Sequence, residues 1–331
     1  MRIDNRRIIF RADGGQSIGM GHITRLMAMA AMINDGFTKI FATRNRESGI
    51  VRDINLVVDE YICLPEGKEH FGKFLSFLAE GDVVVLDNYF FSTEYQRLIR
   101  DRGCFLVCLD DMHDRHYVAD LIINHAPGIE PGSLSTEPYT KVCLGLDYAL
   151  LRKNFLDAAK QEYNIVNSNT VFICFGGVDN NNNTLKVINA LYSKGGIADL
   201  IVVVGSQYAF YNNLQDFVRS KNGIRIFQGI DAIEMVDLLK KSRLAIVPAS
   251  TILLETLCFN IKIISGYYID NQRNLLSGAE RFNNVLNIGN FDLLDSHNLW
   301  EESKRMLADP SRDSIRPIDG LSGDRISGLL G

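Results

Sequence analysis

Short apolar runs alternate with amphipathic stretches along almost the whole chain, and this alternation most narrows the folds open to it. Ile8-Ile9-Phe10, Ile40-Phe41-Ala42, Tyr61-Ile62-Cys63, Val83–Leu86, Phe105–Leu109 and Leu121-Ile122-Ile123 read as strands. Val83–Leu86 is apolar at every position, which suits a strand covered on both faces. Helical segments fall between the runs, among them His22–Asn34 and Thr93–Arg102. The pattern predicts an α/β protein with a mostly parallel sheet and right-handed crossovers.

The pattern breaks once. A polar helix begins near Leu150-Leu151-Arg152-Lys153-Asn154-Phe155, and Asn164–Asn169 reads as a loop. The alternation then restarts with Val171–Phe175, Leu200–Val204, Ile224–Phe227, Leu244–Val247 and Ile261–Ile264. A length of 331 residues also favours two domains. We expect one domain over residues 1–150 and a second over 151–331, with the last helix packing back on the first. Each opens with a strand and a glycine-rich turn. Ligands of open parallel sheets bind beyond the carboxyl ends of the strands, so two facing sheets would form a cleft.

Composition removes several classes of function. Lys plus Arg number 35 against 40 Asp plus Glu, a net charge of −5, so no basic excess supports nucleic-acid binding. No run of about 18 apolar residues appears, which argues against stable membrane insertion. The N-terminus lacks the apolar region and cleavage site of a secretory signal. The six cysteines sit mostly in strand-like runs with no C-x-x-C, as expected of buried thiols in a cytoplasmic protein. His113, His116 and His125 lack metal-ligand spacing, and His70 and His297 read as surface helical residues, so no metal is expected.

The loop from Arg11 to Arg25 follows a strand and opens a helix. Gly19 and Gly21 permit close backbone approach, and free N–H groups at a helix start favour an anion. No Gly-Lys-Ser/Thr follows, so it is not a P-loop. His22 stands directly after the glycines, where the helix dipole favours a neutral ring. It is either a general base or a helix residue bonding a loop carbonyl. Asp13 either orients His22, holds a substrate hydroxyl, or bonds its own turn. Arg25 shares the face of His22 and meets a carboxylate, a phosphate or a salt-bridge partner. Asp110 and Asp111 project to opposite sides of a strand end, which points to structural bonding, with Arg115 as a candidate partner, rather than a metal pair.

In the second half, Gly176-Gly177 follows a strand and either seats a diphosphate or makes a plain turn. Ser250 and Thr251 stand at a strand-to-helix junction suited to a phosphate, with Ser250 as N-cap. Glu255, one turn on, either accepts two ribose hydroxyls or lies on the helix surface. Asn271-Gln272 opens the helix after the next strand. No G-x-S-x-G elbow surrounds Ser250, so a serine nucleophile is discounted.

Taken together, Arg11-Ala12-Asp13, Gly19-x-Gly21-His22-x-x-Arg25, Asp110-Asp111, Asp114-Arg115, Asp120–Asn124, Tyr148–Arg152, Gly176-Gly177-x-Asp179, Ser250-Thr251-x-x-x-Glu255, Asn271-Gln272 and the tail through Gly323 and Arg325-Ile326 resemble a known family. It is that of the UDP-2,4-diacetamido-2,4,6-trideoxy-β-L-altropyranose hydrolases of pseudaminic (nonulosonic) acid biosynthesis. The resemblance spans nearly the whole chain, and parts of it are shared with two-domain GT-B glycosyltransferases. Pro248-Ala249 stands where the family usually has a glycine-containing stretch, and Leu254 where a tryptophan often precedes the glutamate.

The resemblance implies a GT-B fold of two facing Rossmann-like domains, with UDP on the C-terminal one. It implies that water displaces UDP from the anomeric carbon with inversion, without cofactor or metal. His22 would be the base and Tyr89 a sugar-contacting or base-assisting hydroxyl. Ser250, Thr251 and Glu255 would hold the nucleotide, Asn271 and Gln272 the diphosphate or sugar, and backbone near Gly229 and Ile230 the uracil. One base is chemically sufficient, because UDP leaves without needing a proton. Two alternatives stand beside this reading: a GT-B glycosyltransferase with a UDP-sugar donor, and a non-catalytic nucleotide-sugar-binding protein.

Overall fold

The computed structural model describes residues 6–15, 20–34, 36–162, 169–195, 197, 199–309 and 316–330. The expected loop at 164–168 and Gly19 lie outside the described residues. The chain forms two compact units. One runs up to Lys153 and adds the segment from Leu321 onward, and the other is Asn154–Gly320. The passage between them thus falls at Lys153–Asn154 rather than at 150–151, and the segment from Leu321 belongs to the first unit.

The first unit contains β1 (Arg6–Ala12), α1 (Gly21–Met32), β2 (Phe37–Thr43), α2 (Ser48–Ile54), β3 (Glu60–Cys63), α3 (Glu69–Phe77), β4 (Val83–Asp87), α4 (Thr93–Arg100), β5 (Phe105–Leu109), β6 (His116–Tyr117), β7 (Leu121–Asn124), β8 (Ser135–Thr136) and β9 (Lys141–Leu144). Its main sheet is parallel throughout, in the order β3-β2-β1-β4-β5-β7-β9. That is the doubly wound order, reversing between β1 and β4. Every residue of β4 is buried, as its uninterrupted apolar run predicts. Ile9, Ile40, Val84, Leu106 and Ile122 share one face and pack with Phe74, Tyr95 and Ile99. Each such side chain contributes about 1.5–3 kcal/mol of burial.

The second unit contains α5 (Lys153–Lys160, its first residue in the first unit), β10 (Thr170–Cys174), α6 (Asn183–Tyr192), β11 (Asp199–Val204), α7 (Tyr211–Val218), β12 (Ile224–Gln228), α8 (Ala232–Lys240), β13 (Leu244–Pro248), α9 (Thr251–Thr256), β14 (Lys262–Tyr267), α10 (Arg273–Ala279), β15 (Val285–Asn290) and α11 (Ser296–Ala308). Its parallel sheet has the order β12-β11-β10-β13-β14-β15, with the same reversal between β10 and β13. The final helix, α12 (Ser322–Leu330), returns to the first unit. There Arg6 Nη1 donates to the Leu330 carbonyl at 2.6 Å. A Cβ on Gly323 would stand 2.8 Å from the Met32 carbonyl oxygen, so glycine lets α12 approach α1.

Two edge strands, β9 and β15, were not among the strands expected. Each is covered on one side only and carries polar residues, which weakens the apolar signal. Two burial expectations also change. Cys63 is exposed while the other five free thiols are buried. His70 is buried at 3 % exposure rather than lying on a helix surface.

Candidate functional site

In a doubly wound sheet the carboxyl ends of the two strands at the reversal diverge and leave a crevice. In the first unit those strands are β1 and β4. The loop after β1 leads into α1, whose first turn carries His22, and β4 ends in Asp87. His22 Nδ1 lies 2.7 Å from Asp87 Oδ1. Arg25, one turn along α1, forks onto the same carboxylate, with Nε to Oδ2 at 2.7 Å and Nη2 to Oδ1 at 2.6 Å.

Arg25 Nη2 also lies 3.3 Å from His22 Nδ1. Both contacts cannot bond Nδ1 in one tautomer. The carboxylate is the nearer and only accepts, so Nδ1 carries the hydrogen and donates to Asp87. The lone pair of the neutral ring is then on Nε2. Burial opposes ionisation of Asp87. Arg25 and the hydrogen bonds from His22 and Arg25 outweigh it and hold the carboxyl below the usual range.

Asp111 completes the cluster. It accepts from Arg25 Nη1 at 3.1 Å and from the Tyr89 hydroxyl at 3.3 Å. The Tyr89 ring meets the His22 ring edge-on, with centroids 4.7 Å apart. Burial and then Asp111 raise the pKa of the phenol. Asp110 is buried and accepts from Tyr117 Oη at 2.6 Å and from the Met112 and His113 amides. It pins the loop that delivers Asp111. Arg115 pairs with Asp114 and the Phe91 carbonyl instead of Asp110. His22 is 5 % and Asp87 1 % exposed, whereas Tyr89 is 49 % exposed. A buried histidine–carboxylate pair therefore sits beside a half-exposed tyrosine.

Asp13 does not join the cluster, which corrects the expectation that it orients His22. Both its oxygens are occupied by Arg11 (2.7 and 2.8 Å) and by Arg44, through Nε at 2.7 Å and the backbone amide at 2.8 Å. Burial works against its ionisation, but the two arginines more than offset it and depress the carboxyl. Arg11 Nη2 also reaches His70 Nδ1 at 3.0 Å. Asn88 instead ties the strand ends together, accepting from the Asp13 amide at 2.6 Å and donating to the Asp13 carbonyl at 3.2 Å.

In the second unit the reversal lies between β10 and β13, and the expected residues follow those strands. Gly176, with φ of 84°, and Gly177 follow β10. A Cβ on Gly205 would fall 2.0 Å from the Gly177 carbonyl oxygen, so the loops after β10 and β11 meet backbone to backbone. Asp179 is buried and accepts from the Asn183 and Thr184 amides at the start of α6. Ser250 occupies the N-cap of α9, yet its hydroxyl makes no capping bond. Thr251 is exposed, and Glu255 is buried at 3 % exposure rather than on the helix surface. Gly229 and Ile230 follow β12. Asn271 is exposed, while Gln272 is buried and accepts from the Tyr268 amide at 3.0 Å.

Among the described residues, no group of three or more His, Cys, Asp or Glu side chains could hold a metal ion, and no helix is long and apolar enough to cross a membrane.

Two doubly wound parallel sheets, each with its reversal, define a GT-B-type architecture of two Rossmann-like units. Solved structures agree over almost the full chain. MurG of Acinetobacter baumannii superposes with a TM-score of 0.64 at 9 % identity, covering 98 % of this chain and 99 % of that one. A UDP-glucosyltransferase of Polygonum tinctorium gives 0.61 at 13 % identity, covering 100 % and 99 %. A UDP-GlcNAc 2-epimerase of Methanocaldococcus jannaschii gives 0.53 at 12 % identity, covering 98 % and 99 %.

In sequence, the chain is similar to the UDP-2,4-diacetamido-2,4,6-trideoxy-β-L-altropyranose hydrolase of Campylobacter jejuni. Identity is 26 % over 273 residues, 81 % of this chain and 94 % of that protein. An uncharacterized protein of Methanocaldococcus jannaschii is 25 % identical over 279 residues, 81 % of this chain and 57 % of that protein. No family model matches.

Proposed function

We propose that this protein is a GT-B-type enzyme that hydrolyses a UDP-activated sugar at the anomeric carbon, releasing UDP with inversion. The observation that carries the reading is the Asp87–His22 bond, which leaves His22 Nε2 as the proton acceptor. Water gives its proton to Nε2 as its oxygen bonds to the anomeric carbon. The bond from that carbon to the diphosphate oxygen breaks, and its electron pair leaves on UDP. Asp87 holds the ring and stabilises the imidazolium as it forms. The charges of Arg25, Asp87 and Asp111 sum to −1, so uptake of a proton by His22 brings the cluster to neutrality.

Tyr89 contacts the sugar or assists the base. Asp13 acts at a distance, by holding the strand end through Arg11, Arg44 and Asn88. Arg25 positions Asp87, and Gly19 and Gly21 let backbone approach the substrate. In the second unit, Gly176, Gly177, Ser250 and Thr251 receive the diphosphate, Glu255 the ribose, Gly229 and Ile230 the uracil, and Asn271 and Gln272 the diphosphate or sugar. The similarity to the Campylobacter jejuni protein supports a deoxy-diacetamido sugar; a place in pseudaminic acid biosynthesis and a cytoplasmic location belong to the same reading through the resemblance of the motifs alone.

The test is incubation with a panel of UDP-sugars, including that diacetamido sugar, following UDP release and the first-formed anomer by NMR. Release in water alone with inversion is expected. Release only after an acceptor alcohol is added would make the protein a transferase, and binding without release a nucleotide-sugar binder.

A further inference from the structure

Arg44 holds Asp13 with only part of its guanidinium. It follows directly on β2, which pairs with β1. Its amide donates to Asp13 Oδ1 at 2.8 Å and its Nε to Asp13 Oδ2 at 2.7 Å. Its Cζ lies over the Phe90 ring, 5.5 Å from the centroid. Asp13 stands just beyond β1 and Phe90 in the loop after β4. Contacts to both place the guanidinium at the carboxyl ends of those two strands, where the sheet order reverses.

The far end of the group is left over. Among the described residues, none accepts from Arg44 Nη1 or Nη2. Arg25, by contrast, has Nε, Nη1 and Nη2 engaged by Asp87 and Asp111. The Arg44 side chain is 24 % exposed, against 0 % for Arg11 and 3 % for Asp13, so it is the member of the group that a ligand can reach. Nη1 and Nη2 carry parallel N–H groups that match two oxygens of a carboxylate or a phosphate. Ordering a free arginine would oppose such binding, but Asp13 and Phe90 already fix this one.

The local charge is positive. Arg11 and Arg44 share the Asp13 carboxylate, whose oxygens also accept from the Thr43 hydroxyl and the Arg44 amide. His70, bonded to Arg11, adds no charge at physiological pH, because burial and then the two arginines push its pKa down to about 4. The sum over Arg11, Asp13 and Arg44 is therefore +1. Glu47 and Glu69 are exposed, where water and salt screen them, and the exposed Arg46 offsets Glu47.

We infer that the terminal fork of Arg44 binds an oxyanion of the ligand, either the diphosphate of a nucleotide sugar or a carboxylate carried on the sugar. The choice of nucleotide sugars rests on the hydrolase reading above, whereas the fork and its charge do not.

The test compares wild type and Arg44→Lys in binding uridine, UDP, UDP-N-acetylglucosamine and UDP-glucuronic acid, by calorimetric Kd or, for any that is turned over, by KM. Lysine keeps the charge and loses the planar fork. Arg11, Thr43 and the amide of residue 44 still hold Asp13 in that variant. If the diphosphate is the ligand, UDP and both UDP-sugars should bind about tenfold more weakly and uridine equally well. If a sugar carboxylate is the ligand, UDP-glucuronic acid alone should weaken. Every other pattern overturns the inference, including unchanged affinity for all four or uridine weakened as much as UDP, and leaves the hydrolase reading standing.

A wild type that binds none of the four overturns the hydrolase reading. The inference is then decided separately, as it also is if Arg44→Lys fails to fold. The Arg44 Nε–H and Nη–H signals are followed in a 15N–1H NMR spectrum of wild type during titration with sodium pyrophosphate. Movement with pyrophosphate, but not with sodium chloride at the same ionic strength, supports an oxyanion at the fork. Signals that respond alike to both salts overturn it.

Discussion

His22 Nδ1 and Asp87 Oδ1 lie 2.7 Å apart although 65 positions separate the two residues in sequence. The pairing of β1 with β4 closes that gap, setting Ala12 opposite Asp87. Asp87→Asn keeps the shape but removes the acceptor charge and permits the other tautomer. We expect kcat to fall by about 10²- to 10⁴-fold, as for carboxylates that orient a catalytic imidazole. UDP affinity should stay within about twofold, since no change falls on the second unit. Steady-state kinetics and calorimetric titration with UDP check the two halves.

Asp111 holds Tyr89 and the outer side of Arg25, while Asp87 keeps its own fork on Arg25. Asp111→Asn should therefore be milder, about 3- to 10-fold in kcat/KM. Combined with Tyr89→Phe, it should cost less than the sum of the two single changes. A double-mutant cycle measures the coupling, and strict additivity would separate Tyr89 from Asp111.

Much of this was legible in the sequence, and the losses have physical causes. The His22 loop stood out because glycines followed by a helix start form a local pattern. Asp87 stood at the end of a recognised strand, but its pairing depends on which strand neighbours β1, and no local pattern encodes that. The signal that existed was the doubly wound order, which makes the ends of the first and fourth strands neighbours. Of the three readings open for Asp13, its contacts exclude the one that orients His22. Arg11 and Asp13 are two apart on an extended chain and so share a side, which favours their mutual pairing.

The loops of the second unit offer a steric test. Gly205→Ala places a Cβ against the Gly177 backbone, where no flexible side chain can give way. The cost should be about 1–3 kcal/mol, taken up by displacement of the Gly176-Gly177 turn. If that turn receives the diphosphate, UDP affinity should fall by about tenfold or more. Calorimetry with UDP reads this, and unchanged affinity would remove the turn from the nucleotide site.

Acid stability follows from two histidines whose pKa values are depressed. Burial first, then Arg11 and Arg44, push the His70 pKa down to about 4, and His125 lies at about 3. Both fall below the unfolded value of about 6.5, so the unfolded chain binds more protons once the pH drops beneath it. Their contribution to stability is complete above about pH 6.5 and is lost as the pH falls through the folded values. Asp13 and Asp87, also depressed, add their loss below about pH 4. His70→Gln, whose carbonyl can still accept from Arg11, should flatten the fall in Tm between pH 6.5 and pH 4. A slope equal to that of wild type would contradict the assignment.

The central claim is that His22 takes the proton from water, and single-turnover UDP release by His22→Ala tests it most directly. With the UDP-sugar that wild type hydrolyses, we expect a rate at least about 10³-fold slower and UDP affinity within about twofold. Release at the wild-type rate from a folded His22→Ala protein would contradict it.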